Sequence, residues 1–362
     1  MKPLTRALPL YAGFALALFL SVPAVHAQQP GVFYQQHNLV SDGALPADHF
    51  DPNLVNAWGL AFNPFGPAWV ADNGTGVATV YDGTGSAVSL VVQIPTPSSS
   101  SGGAVTGAVY NGSPSFVVTE NAVSGPGRFL FDTEDGVIAG WAPNVDGTHA
   151  IKVIDNSGSG AIYKGIAISA GGTGARLYAT DFHNAKVDVF DGNFQPVALP
   201  GSAFQDSHIP PGFAPFGIAA IGGDLYVTYA KQDADREDDV KGPGLGYVDV
   251  YDPSGKLLRR FASRGPLNAP WGIAPAPAGF GRSSNLLLIG NFGDGRINAY
   301  DAVSGTPRGS LRSSNGQPIQ IDGLWGLAFG NGYDNQPVNT LFFTAGPQDE
   351  SHGLYGRIAP IQ

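Results

Sequence analysis

PFGIAAIGGDLYVTYAKQDADREDDVKGPGLGYVDVYDPSGKLLRRF, residues 215–261, parses into four short β segments separated by turns. Phe216-Gly217-Ile218-Ala219 is a small-residue strand, and residues 224–228 (DLYVT) form a second. Residues 246–251 (GYVDVY) alternate with period two as a third. Asp252-Pro253-Ser254-Gly255 supplies turn chemistry, and residues 256–261 make the fourth. Between the second and third segments lies an acidic loop, residues 231–244, unlike the rest of the chain. The unit decides the architecture, and the loop is where function is sought.

Five more copies of the unit align on the glycine of the first strand: Gly59 (WGLAF), Gly107 (TGAVY), Gly165 (KGIAI), Gly272 (WGIAP) and Gly326 (WGLAF). With Gly217 they are spaced by 48, 58, 52, 55 and 54 residues. Second strands are predicted at 68–71, 115–119, 176–180, 224–228, 285–289 and 340–344. Third strands ending in aromatic-Asp follow at 77–82, 186–191, 247–252 and 296–301; copy two has the looser RFLFDTEDG and copy six GLYGRIAPI. A four-stranded antiparallel unit cannot bury both faces alone, so copies at this period stack around an axis. The fold expected is all-β, a six-bladed β-propeller of four-stranded antiparallel blades. Small residues in each first strand suit the crowded axis, and the Asp closing each third strand is placed to accept a backbone N–H in the next turn. Copy six runs out after its third strand, while residues 32–40 (VFYQQHNLV) have no home in copy one. The N-terminal segment is therefore expected to pair as the outer strand of the last blade and close the ring.

Domain organisation follows. Residues 1–27 read as a signal peptide: Lys2 and Arg6, an apolar run over 8–22, and Val25-His26-Ala27 before cleavage after Ala27. Residues 28–362 are then one propeller domain, periplasmic or secreted, with no membrane span and no sign of an oligomer, so a monomer is expected. The Ser98-Ser99-Ser100-Ser101-Gly102-Gly103 run is a blade-joining loop, since the repeat continues on both sides. With no cysteine in the chain, disulfides and thiol chemistry are excluded and stability rests on burial. Losing Lys2 and Arg6 leaves 17 basic against 29 acidic residues, a net charge of −12. That sign disfavours nucleic acid and anionic lipid surfaces and leaves cations, neutral glycans, other small molecules and basic proteins open as partners.

In a propeller blade, the loops entering the first strand and those joining strands two and three emerge at one end. The latter read Asp72-Asn73-Gly74, Glu120-Asn121-Ala122, Asp181-Phe182-His183-Asn184, residues 231–244, Asn291-Phe292-Gly293-Asp294 and residues 346–353 (GPQDESHG). Oxygen donors converging on an axis suit Ca²⁺ or another divalent cation, with Asn73, Glu120, Asn121, Asn291 and Asp294 as the candidate donors; singly, the same residues are ordinary turn formers. No organic cofactor is implied. The acidic loop fails as an EF-hand, because Asp238 stands where Gly is needed and Gly244 where Glu is needed. It remains either a solvated charge cluster or a flap over the mouth with Asp233, Asp235 and Asp239 as ligands and Lys231 pairing one of them. His352 beside Asp349 and Glu350 is the general-base candidate, against the plainer reading of a surface histidine near acids; His183 is a second. Trp58, Trp271 and Trp325 precede their glycines, where they either stack on a ligand such as a sugar or pack the channel mouth. The serine-hydrolase elbow, the zincin helix and the phosphate loop motifs are absent.

NLVSD (38–42), WGLA (58–61), YAKQDAD (229–235), DDVKGPG (238–244), VDVYD (248–252), GNFGDGRIN (290–298), FFTAGPQDE (342–350) and HGLYG (352–356) together resemble a family of bacterial exported proteins, some of which end in a PEP-CTERM sorting signal. The resemblance covers essentially the whole mature chain. It implies a six-bladed propeller akin to the NHL and gluconolactonase-like types, and no settled activity. Residues 353–362 carry no sorting segment, so a released protein is expected. Gluconolactonase-like propellers use a central divalent cation held by Glu, Asn and Asp to polarise a lactone carbonyl and activate water. Glu120, Asn73, Asn121 and Asn291 have those side-chain types. The reading is of a propeller that binds a ligand or partner on its acidic loop face, with a metal-dependent hydrolase or lactonase at the channel mouth as the alternative.

Overall fold

Each aligned glycine lies in the strand of its blade nearest the axis: Ala57–Phe62, Val105–Tyr110, Tyr163–Ser169, Phe213–Ile221, Pro270–Pro275 and Leu324–Phe329. Crowding is what selects glycine there. A Cβ on Gly217 would stand 2.3 Å from Trp271 O in the next blade, and one on Gly326 would stand 2.8 Å from Trp58 O, across the join between the last blade and the first. The inner strands bulge beside these glycines. A hydroxyl from the second strand fills the gap: Thr228 Oγ1 accepts from Gly217 N (2.8 Å) and Thr344 Oγ1 from Gly326 N (2.9 Å). In blade two Asp132 takes that position, its Oδ1 accepting from Gly107 N at 2.7 Å.

The computed structural model describes Met1, residues 33–169 and residues 174–361. The signal peptide read in residues 1–27 and its cleavage site lie outside the described residues, Met1 apart. The described residues form an all-β, six-bladed propeller, with four-stranded antiparallel blades in four of the six positions and, in blade six, a fifth two-residue strand, His49–Phe50, added in parallel at the outer edge. Blade six is completed by the N-terminal strand Phe33–Ser41, which runs antiparallel to Leu354–Ile361 from Phe33↔Ile361 to Ser41↔Leu354. Ring closure thus occurs as the surplus strand predicted. Tyr34 ties this strand to blade five, donating to Phe280 O (3.1 Å) and accepting from Ser283 N (2.9 Å). The aromatic-Asp ends of the third strands also behave as expected: Asp252 Oδ1 accepts from Ser254 N (2.8 Å) and Lys256 N (3.1 Å).

Two blades differ from the sequence reading. In blade two the second strand is Phe129–Thr133 and the third Val137–Trp141; residues 115–119 are not the second strand. A separate hairpin, Val117–Glu120 with Val123–Pro126, is inserted between the inner and second strands. Its turn residues Asn121 and Ala122 have φ of 48° and 64°, the paired positive values a tight two-residue hairpin turn requires. Blade three shows three strands among the described residues. Its outer place is taken by the segment around Phe194 to Pro200, which touches the third strand through Val197 N to Val189 O (2.8 Å) and one bridge, Phe190↔Pro196. Pro196 and Pro200 supply no backbone donors, so a full ladder cannot form.

Between blades the faces pack in apolar layers. Blades one and two share Trp69, Phe129, Phe131 and Trp141, with Trp69 stacked on Phe129 at 4.1 Å between centroids. Such a pair adds about 0.5–1.5 kcal/mol beyond its buried area.

Candidate functional site

The residue just before each inner-strand glycine points toward the end of the channel that carries the strand-two-to-three loops. Those six residues are Trp58, Thr106, Lys164, Phe216, Trp271 and Trp325. The aromatic members, with Phe182 and Phe292, form one plug. Trp325 is sandwiched between Trp58 (3.7 Å) and Phe292 (3.8 Å), and Trp271 meets both tryptophans edge-on. Trp58 and Trp325 are each 1% exposed, and both faces of Trp325 are covered, so these rings close the channel and offer no face to a sugar.

Above the plug runs a chain of polar contacts drawn from five blades. Trp325 Nε1 donates to Asn56 Oδ1 (3.0 Å), and Asn56 Nδ2 donates to Glu350 Oε2 (2.8 Å) and Asn73 Oδ1 (3.2 Å). Asn73 Nδ2 donates to Glu134 Oε2 (2.8 Å). Glu134 also accepts from Lys164, whose ammonium lies 3.0 Å from Asp238 Oδ1 and 5.2 Å over the Trp58 ring. Lys164 is 2% exposed. Burial alone would push its ammonium down, but the carboxylates of Glu134 and Asp238 outweigh that and hold it above its ordinary value, so it is charged.

The acidic loop is pinned over this mouth. Asp238 reaches Lys164 in blade three, and Lys241 Nζ sits 4.4 Å over Phe292 in blade five. The loop's next acid, Asp239, is pushed up to about 7 by burial, against the pull of Lys164 and Lys241. Its Oδ2 is shut off from solvent without a hydrogen-bond partner among the described residues, as is Trp58 Nε1. Burial also raises Glu350, although its bond from Asn56 opposes this. Glu350 follows Gln348 and Asp349, and all three have positive φ (65°, 57° and 51°), a left-handed turn that L-residues adopt at a cost of about 1 kcal/mol or more each.

The residues singled out from sequence are distributed as follows. Asp239 joins the mouth. Asp233 accepts from Glu237 N (3.0 Å) inside the loop, and Asp235 is exposed. Lys231 is exposed and contributes its backbone oxygen to Val240 N (2.7 Å). The lysine that pairs with the loop is Lys164, because it alone projects into the mouth from below. The His352 trio is not one group: His352 Nδ1 lies 2.7 Å from Asp42 Oδ2, Glu350 turns into Asn56, and Asp349 is solvent-exposed 4.0 Å from Lys241. His183 stands in the blade-three turn with Nδ1 buried and without a partner among the described residues.

The five cation-donor candidates fall into three sets of contacts. Asn73 is bonded to Asn56 and Glu134; Asn291 donates to Pro266 O (2.7 Å) and Asp294 Oδ1 (3.0 Å) within blade five. Glu120 and Asn121 line a side cleft with Ser98, His149 and Lys152, on the inserted hairpin. They do not fit one metal as a set, and among the described residues no three His, Asp or Glu side chains are grouped to hold one. The ladder puts Glu134 where Glu120 was read: Ala57↔Asp72 precedes Asn73 as Val105↔Thr133 precedes Glu134. Asn56, Glu134, Lys164, Asp238 and Lys241 escaped the sequence reading. Two signals were available: a lysine in a position otherwise mostly aromatic, and the longest repeat interval, 58 residues after Gly107, marking the insertion.

No family model matches the chain. Uncharacterized protein R648 of Acanthamoeba polyphaga mimivirus is 36% identical over 334 residues, covering 90% of this chain and 80% of that protein. Protein L690 of the same virus is 35% identical over 331 residues, covering 90% and 85%. Among solved structures, a protein of unknown function from Bacteroides thetaiotaomicron superposes with a TM-score of 0.57 at 9% identity, over 91% of this chain and 76% of that one. A glucose dehydrogenase gives 0.53 at 12% identity, over 89% and 99%. At such identities the likeness is one of fold alone.

Proposed function

The chain belongs to the family of the mimivirus proteins R648 and L690, and from that premise we propose that it is a propeller that binds a basic partner on its acidic loop face. The observation that carries this is the anchoring of the loop. Lys164 holds Asp238 over the channel mouth while Asp235, Glu237 and Asp349 are left facing solvent. A fixed loop loses little entropy on binding, and exposed carboxylates on it complement ammonium or guanidinium groups.

A hexa-arginine peptide titrated calorimetrically tests the proposal. Asp235→Lys/Glu237→Lys is expected to weaken binding at least tenfold. Asp224→Lys/Asp334→Lys makes the same charge change on turns at the other end of the ring and is expected to change it less than twofold. Equal weakening by both pairs would reduce the effect to net charge and overturn the site. Saturable Ca²⁺ uptake reversed by EDTA, with EDTA-sensitive lactone turnover, would instead support the metal-dependent hydrolase.

Export as a monomer, with cleavage after Ala27 and kinship to the bacterial exported proteins, belongs to the same proposal and rests on residues 1–27 and the motifs quoted above. The mass of protein recovered from periplasm or medium should begin at Gln28. Intact Met1 in the cytoplasmic fraction would overturn it.

A further inference from the structure

The other end of the channel is built differently. Beyond the tryptophan plug the inner strands enclose a cavity of about 370 Å³, lined among others by Leu60, Tyr110, Ile168, Ile218, Ala220 and Ile273. Among the described residues no charged side chain lines it. Trp271 forms its blind end and is fixed there by donating Nε1 to Lys164 O at 2.7 Å. Each inner strand pairs on one side only, with the second strand of its own blade. Its other edge turns backbone N–H and C=O groups toward the axis, so the wall mixes apolar side chains with hydrogen-bonding backbone groups in about equal measure. Beside Pro64 of the lining, Phe65 is 82% exposed on the turn after Ala57–Phe62, extending the apolar surface outward.

We propose that this cavity is a binding site for an uncharged small molecule, two to three rings in size, that carries hydrogen-bonding groups beside its apolar faces. The volume sets the size: an apolar cavity of about 150 Å³ holds benzene, and the present one is more than twice that. The absence of charge in the wall sets the class, since an ion entering it would lose hydration without compensation. Concave apolar sites with a few placed polar groups are where such ligands bind. The site is independent of the acidic face, being separated from it by the plug.

The test is a titration of the full chain with N-phenyl-1-naphthylamine, a neutral three-ring dye that brightens in apolar surroundings and accepts energy from tryptophan. One saturable site is expected, with tryptophan emission quenched through Trp271 at the blind end. Ala220 lines the cavity and is exposed, so Ala220→Trp should fill it and weaken binding at least tenfold, with Ala220→Leu intermediate. Asp235→Lys/Glu237→Lys should bind the dye as wild type does, which separates this site from the acidic one. No saturable signal in wild type, or Ala220→Leu and Ala220→Trp proteins that bind unchanged, would overturn the proposal and leave a water-filled channel. If Ala220→Trp melts early, the milder Ala220→Leu decides.

Discussion

Lys164 occupies a place that four other blades fill with an aromatic ring, and its charge is satisfied only because Glu134 and Asp238 come to it from two other blades. Removing the lysine leaves Glu134 part-buried and Asp238 open to water, so the loss is that of the charged hydrogen bonds. Lys164→Met is expected to cost about 1–3 kcal/mol in denaturant unfolding, and Lys164→Met/Glu134→Gln to recover part of it. The same single change should free the loop and speed tryptic cleavage after Arg236, which is exposed; an unchanged cleavage rate would mean Lys164 is not its anchor. A second buried charge has a readable pH signature. Asp132 is pushed up to about 7 by burial, against its bonds from Gly107 N and Thr106 Oγ1. Below about pH 4 both folded and unfolded chains hold the proton. Between there and pH 7 only the unfolded chain releases it, so stability falls across that window and is flat above it, by roughly 2–4 kcal/mol in all. Blades three, four and six place Thr180, Thr228 and Thr344 at this position, with Thr228 and Thr344 also accepting the glycine N–H. Asp132→Thr should therefore melt higher than wild type at pH 8, with the gap narrowing toward pH 4. Lys164 was legible as the odd residue before an aligned glycine. Asp132 was not, because its burial depends on a strand that the sequence reading had placed third.

The N-terminal strand and the blade-two hairpin show what element-level reading reaches. The strand Phe33–Ser41 was legible by counting, since a closed ring leaves no strand without a partner. The hairpin was hidden because Val117–Glu120 has strand composition and follows an inner strand at a plausible distance; only the pairing of Phe129–Thr133 with Val105–Tyr110 shows it to be an insertion. Blade three's missing ladder was written in Pro196 and Pro200, whose lost donors are a local fact. Removing residues 28–41 should lower the melting temperature sharply, because it bares the edge of Leu354–Ile361 along its whole register and opens the ring. A truncated protein that melts with the full chain would show that the strand is dispensable. Tyr34→Phe is the gentler probe: it leaves Phe280 O and Ser283 N unpaired in a buried place, at about 1–3 kcal/mol.

At the scale of the whole molecule the ring has two unlike ends, a pinned acidic mouth and an uncharged funnel, held apart by stacked tryptophans. Sixfold stacking, read from glycine spacing, correctly gathered distant loops at one end; which side chains meet there depended on blade-two register and on loop conformation, neither of which spacing records. Because Phe33 and Ile361 are register partners, a short turn can join them. A circular permutant so joined and opened between Ser100 and Ser101 is expected to melt within about 5 °C of wild type, since no strand pairing is broken. A collapse in melting temperature would show that the connection between blades one and two does more than link them. The same pairing governs the chain's early life. At about 5–20 residues per second on the ribosome, the 328 residues from Phe33 to Ile361 take roughly 16–65 s to follow. Until Ile361 is available the ring cannot close, so any partly folded propeller would carry bare β edges at both tips, wherever the chain folds.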